Sequence, residues 1–173
     1  GIVPTSSTTI QLSIGDALSI ALMKKKKFGK LDFKKFHPSG NLGNKLKTAG
    51  DIMLIKKRIP LINENHTMKK ALKIINLKRL GFVVVTNNQG FTTGMFTDGD
   101  LKRLMQKKRK IENLKIKSLM TKNPFSVEEN TLATEVLDQM NKRKITNVCI
   151  YNRINKRKTI GVIHIHNLLD NLK

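Results

Sequence analysis

Residues 59–85 read IPLINENHTMKKALKIINLKRLGFVVV, and residues 124–150, PFSVEENTLATEVLDQMNKRKITNVCI, repeat the same order of residue types. Pro60 lies over Pro124 and Thr67 over Thr131. Ala71-Leu72 then lies over Val136-Leu137, and Val83 and Val85 over Val148 and Ile150. The offset moves from 64 to 65, as one inserted loop residue would produce. TGMFTDGDLKRLM (93–105) then lies over IGVIHIHNLLDNL (160–172) at an offset of 67. Internal repetition of this kind predicts a duplicated unit of short strand, helix, strand, strand, helix.

Local signals agree with that order. Leu132, Val136, Leu137 and Met140 share one helical face. Phe82 to Thr86 is apolar and β-branched, a strand, and Asn87 to Gly90 is a turn into the next strand. Asp98 is read as the N-cap of a helix that carries Leu101, Leu104 and Met105 inward. Each unit is too small for a good core by itself, so the two are expected to bury their sheet faces against one another.

The first 47 residues follow another pattern. PTSSTTIQLSIGDALSIALMKKKKFG reads as a Ser/Thr-rich loop and then a long helix with Ile14, Leu18 and Leu22 on one face. Lys24 to Lys27 suit a helix C-terminus and Gly29 its cap. FHPSGNLGNKL follows as a turn-rich segment. A helix and a loop form no core alone, and the chain starts at Gly1 without a methionine. The expectation is the tail of something longer.

The chain has 34 Lys and Arg against 12 Asp and Glu, a net charge of +22. Such a balance invites a polyanion partner. Yet the lysines are spread through every segment, Trp is absent and Tyr occurs once, so the aromatic platforms of nucleic-acid modules are missing. A solvated lysine-rich surface accounts for the charge, and nucleic acid is not the expected partner. Cys149 has no second cysteine to pair with, which suits a reducing compartment. No apolar run approaches the roughly 20 residues of a membrane span, and no signal peptide is recognisable.

The duplicated unit resembles the cystathionine-β-synthase (CBS) domain, whose signature is a glycine, a strand, Thr or Ser, two residues, then Asp at a helix start. Gly94, Thr97 and Asp100 match it. The leading residues PTSSTT, GDALSIAL and FHPSGNLG resemble the end of a sugar isomerase (SIS) domain. That order of SIS and paired CBS units is similar to the layout of D-arabinose 5-phosphate isomerases. The resemblance implies an α/β fold of the α+β kind. A tandem CBS pair of β-α-β-β-α units would be preceded by the terminal helix and loop of an SIS-type α/β domain. The expected domains are 1–48, the SIS remnant, then 50–108 and 117–173, the two CBS units. It further implies a cytoplasmic homo-oligomer, a tetramer, that interconverts D-ribulose 5-phosphate and D-arabinose 5-phosphate on the way to the octulosonate sugar of lipopolysaccharide. No catalytic cofactor is implied. This fragment alone is expected to be inactive, because the phosphate loop and other catalytic residues of an SIS domain lie upstream of Gly1.

The same resemblance implies that Asp100 accepts hydrogen bonds from vicinal ribose hydroxyls and that Thr97 donates to a phosphate or base edge. A carboxylate has the acceptor capacity for such a pair. A helix N-terminus also favours an anion. Asp98 is read as a cap. Asp100 is read as a ligand contact because capping needs one residue at the boundary and leaves the second unexplained. The second unit has His164 for the threonine and Asn167 for the aspartate, which weakens that half-site. His164 and His166 would project to one side of a strand, but no Cys, Asp or Glu stands beside them to complete a metal site. The expected regulatory ligand is an adenine nucleotide or a cytidylyl sugar. His37 is the catalytic candidate: an isomerase moving a proton through an enediol needs an acid–base group, and imidazole titrates near neutrality. His66 is read as a loop residue. Two other readings compete: a free-standing CBS pair without an enzyme, and a basic nucleic-acid binder whose binding would fall with salt.

Overall fold

A computed structural model describes residues 3–37, 46–106 and 111–172. The chain divides into two compact units, 1–46 and 47–173. In the first, α1 (Thr5–Lys25) and α2 (Lys30–Phe36) have no buried residue. The Ser/Thr-rich segment expected as a loop is helical. Thr8, Thr9 and Ser13 donate their hydroxyls to carbonyls four residues back, at 2.8, 2.9 and 2.9 Å, so their polar groups are met inside the helix. Ile10, Leu12, Ile14, Leu18, Ile20 and Leu22 are all exposed, and they surround the helix rather than forming one stripe. Gly29 does not close α1. The left-handed residue there is Lys27 (φ 51°), and Gly29 opens α2, its N–H held by the Asp32 carboxylate at 3.1 Å.

The second unit runs α3 (Ala49–Ile52), β1 (Leu54–Ile55), β2 (Leu61–Asn63), α4 (Met68–Lys78), β3 (Phe82–Thr86), β4 (Thr92–Thr97) and α5 (Asp98–Gln106). It continues with β5 (Thr121–Lys122), β6 (Ser126–Glu128), α6 (Ala133–Arg143), β7 (Asn147–Tyr151), β8 (Gly161–His164) and α7 (Ile165–Leu172). Two four-stranded sheets result, ordered β2-β3-β4-β5 and β1-β8-β7-β6. In each, one parallel pair (β2 with β3, β6 with β7) adjoins antiparallel neighbours.

The register corrects the sequence alignment. Leu61 pairs with Val84 as Ser126 does with Cys149, and the Val84 and Cys149 amides donate to Pro60 and Phe125. Pro60 is therefore the counterpart of Phe125, not Pro124. Likewise Met68, Ala71 and Ile75 are buried on α4 as Ala133, Val136 and Met140 are on α6, which places Thr67 over Leu132. No residue is inserted between the strand and the helix. Both helices end in a left-handed residue, Arg79 and Lys144, each at φ 54°.

The leading segment of each repeat belongs to the other repeat's sheet. β1 pairs with β8, β5 pairs with β4, and α3 buries Ala49 and Ile52 in the cluster of Val136, Met140, Ile150 and Leu168. The central strands are apolar on both faces, as strands covered on both sides must be. On β3, Val83 and Val85 face α4 and α5, while Phe82 and Val84 join Ile59, Met95, Cys149 and Val162 in a cluster between the sheets. The expectation that the sheets bury faces against one another holds. Met105 does not turn inward: it is 65% exposed, whereas Leu101 and Leu104 pack against the first core.

Gly94 and Gly161 occupy matched positions on β4 and β8. A Cβ at either would collide with the sulfur of Met120 or Met53 respectively, and at Gly94 would stand 2.9 Å from the Thr121 carbonyl. The signature glycine is thus required by the crossing segment that precedes each repeat.

Candidate functional site

Where β4 ends and α5 begins, the chain turns over an open cleft of about 520 Å³, within the range of ligand pockets. One wall carries Thr97, Asp98, Asp100 and Arg103; the other carries Phe125, Lys144, Asn147 and His164. Both walls belong to the 47–173 unit.

Thr97 and Asp100 cap α5 reciprocally. The Thr97 hydroxyl accepts the Asp100 N–H at 3.2 Å, and Asp100 Oδ2 accepts the Thr97 N–H at 2.9 Å and its hydroxyl at 2.8 Å. The sequence-based roles of the two aspartates change accordingly. Asp98 is the first residue of α5 rather than its cap, and its N–H donates to the Gly81 carbonyl at 2.9 Å. Asp100 is the capping partner, so capping by itself accounts for its presence. Its remaining oxygen, Oδ1, takes the Arg103 guanidinium at 2.5 Å. Asp100 is only 9% exposed, while the Arg103 side chain is 71% exposed. A carboxylate has about four acceptor positions, so Oδ1 retains capacity for a further donor.

Across the cleft the second repeat is built differently. His164 ends β8 and caps α7 with its ring: Nδ1 accepts the His166 N–H at 3.3 Å. The two histidines are not on one strand, although their rings lie 4.9 Å apart. Asn167 is absent from the residues that line the cleft, and its carbonyl accepts Asn171 Nδ2 at 2.9 Å. Thr97, Asp98, Asp100 and His164 are therefore brought together, and Asn167 is not. Among the described residues, no group of three or more His, Cys, Asp or Glu is placed to hold a metal ion.

Arg103, Phe125, Lys144 and Asn147 are among the lining residues that the sequence reading did not identify. Asn147 was visible in principle, because it opens an otherwise apolar strand at the position of Phe82. Its Nδ2 donates to Thr146 Oγ1 at 3.1 Å, but its Oδ1 is buried with no partner, in a residue only 8% exposed. An unmet buried acceptor costs stability unless something supplies a donor. Arg143 lies over the Phe125 ring at 4.2 Å, fixing that ring at the cleft edge.

Burial, and secondarily the neighbouring His166, holds the His164 imidazole below its ordinary value. Below about pH 6.5 the unfolded chain then binds more protons at this group than the fold does. The associated stability is present above that pH and is lost as pH falls through the folded-state value. A urea midpoint measured at about pH 7.5 and again at about pH 5.5 should fall more for the wild type than for His164→Asn, which keeps a capping acceptor that cannot protonate. Equal falls would contradict the assignment.

Elsewhere, His37 is exposed, ends α2, and stacks on Phe33 with ring centroids 4.2 Å apart. Pro38 to Gly43, the rest of FHPSGNLG, lie outside the described residues. His66 sits in the turn between β2 and α4 as expected, with a buried Nδ1 that lacks a partner. Burial pushes the Cys149 thiol up to about 12, so it is inert at neutral pH. No described helix is long and apolar enough to cross a membrane.

Residues 49–107 and 116–173 each match the CBS domain, and the chain belongs to the CBS domain family. It is 39% identical over 170 residues to arabinose 5-phosphate isomerase KdsD of Salmonella typhi, and 38% identical to KdsD of Escherichia coli K12. In both cases the alignment covers 98% of this chain and 51% of the relative. The chain thus spans about half the length of these curated relatives. Among solved structures, CBSX2 in complex with AMP matches with a TM-score of 0.60 at 20% identity, over 72% of this chain and 94% of that one. The CBS domain of a bacterial CNNM/CorC family Mg2+ transporter in complex with ATP matches with a TM-score of 0.63 at 18% identity, over 76% and 90%. These likenesses give the fold: a mixed α/β tandem CBS pair with two sheets.

Proposed function

We propose that this chain is the C-terminal part of an arabinose 5-phosphate isomerase and that its CBS pair binds a ribonucleotide that regulates the enzyme. The whole protein interconverts D-ribulose 5-phosphate and D-arabinose 5-phosphate for octulosonate and lipopolysaccharide synthesis. It does so in the cytoplasm as a homo-oligomer, a tetramer, with His37 supplying acid–base chemistry and the rest of the SIS site lying upstream. Kinship to KdsD over 98% of the chain supports this reading. So do the apolar side chains on all sides of α1, which need further protein to cover them.

The observation that carries the regulatory part is the cleft. A buried carboxylate, Asp100, shares a ligand-sized cleft with Arg103, Lys144 and Asn147. Ribose hydroxyls go to Asp100, phosphate to Lys144 and Arg103. The exocyclic amine of adenine or cytosine meets Asn147, which favours an adenine nucleotide or a cytidylyl sugar. Solved CBS pairs named as complexes with AMP and ATP support the adenine choice. A ligand acts on the enzyme only as far as it binds two states unequally. In the full-length protein, a binding nucleotide should therefore change the isomerisation rate, and removal of residues 47–173 should abolish that change. An identical response in the truncated enzyme would refute the regulatory reading.

A further inference from the structure

At the opposite end of β7 from Asn147 lies a second cleft of about 230 Å³, lined by Thr92, Asn123, Tyr151, Thr159 and the loop cations Lys156, Arg157 and Lys158. No carboxylate lines it, and among the described residues none of the three cations has an ion-pair partner. The loop is held in place by the fold. The Thr92 N–H donates to the Arg157 carbonyl at 2.8 Å, and the Thr92 and Thr159 hydroxyls meet at 2.7 Å. The Asn155 side chain accepts the Arg157 N–H at 3.1 Å. Three consecutive, exposed cations line a cleft that also carries hydroxyl and amide groups, so an anion there would accept charge-assisted hydrogen bonds. The volume is below the roughly 300 Å³ at which pockets for larger ligands begin.

We propose that this cleft is an anion site for a phosphate group, taken either as the free ion or as the head of a small phosphate monoester. It shares Pro124 with the Asp100 cleft but none of the Thr97–Asp100 machinery. The proposal therefore stands apart from nucleotide binding.

The test is calorimetric titration of the 173-residue chain with inorganic phosphate and with glycerol 3-phosphate at fixed ionic strength. The wild type is compared with Lys156→Gln/Arg157→Gln/Lys158→Gln and with Lys24→Gln/Lys25→Gln/Lys26→Gln, which removes equal charge elsewhere. The expected result is a loss of about ten- to hundredfold in affinity for the loop variant and wild-type affinity for the control. Tighter binding of glycerol 3-phosphate than of phosphate assigns the monoester; equal binding assigns the free ion. Parallel weakening in both variants would show a mere net-charge effect and overturn the site. So would absence of binding to the wild type. AMP titrated into the loop variant should bind as it does to the wild type, which keeps this result separate from that of the Asp100 cleft.

Discussion

Phe82→Ala is expected to destabilise the 47–173 unit by about 3–5 kcal/mol, the usual cost of emptying a fully buried phenylalanine site. Phe82 is 0% exposed and fills the cluster shared by the two sheets. Its counterpart in the second repeat is Asn147, so no matching aromatic is available to take up the space. Since a domain has only about 5–15 kcal/mol of stability in total, the urea midpoint should drop steeply with an unchanged slope. A loss below about 1 kcal/mol would mean that the two sheets do not share this core.

On the proposed isomerase reading, His37→Ala should lower turnover of the full-length protein by about 10²–10⁴, the range for a lost general acid or base. The structural cost should be small, because the ring is exposed and its contact is the stack on Phe33. His37→Phe would keep the stack and remove the proton-transfer group, so it should be equally inactive. Wild-type turnover in His37→Phe would reduce the residue to a stacking partner at the end of α2.

The duplicated architecture was legible because burial imposes periodicity. Runs such as Phe82 to Val85 and Val148 to Ile150 are apolar on both faces, and α4 and α6 bury every third or fourth residue. Residue type misleads where backbone register decides the equivalence. Pro60 and Pro124 look equivalent, but the backbone bonds of Pro60 and Phe125 are the ones that correspond. The exchange of β1 and β5 between sheets was hidden, since a short edge strand has the same pattern whichever sheet takes it. The Ser/Thr segment was misjudged because propensity favours a loop, whereas hydroxyl bonds to the preceding turn keep it helical.

At the site, the sequence supplied Thr97 and Asp100 but not their bond to each other. Spacing three apart at a helix start is the pattern of a capping box, so the capping role could have been read. Arg103, three residues beyond Asp100 on α5, could have been read as its ion-pair partner too. Lys144 and Asn147 come from the far wall, and only the packing of the two sheets brings them opposite.

Because Asp100 both caps α5 and faces the cleft, Asp100→Ala would confuse a lost helix cap with a lost ligand contact. Asp100→Asn keeps an acceptor for Thr97 and removes the charge. The most direct test of the nucleotide cleft is calorimetric titration of the wild type and Asp100→Asn with AMP and with 2′-deoxy-AMP, folding being checked by denaturation. The account predicts that AMP binds the wild type more tightly than the deoxynucleotide does. Asp100→Asn should lose about ten- to hundredfold in AMP affinity, equivalent to the roughly 1.5–3 kcal/mol of charge-assisted bonds, and should no longer distinguish the two ligands. Undiminished AMP binding by a folded Asp100→Asn would contradict it.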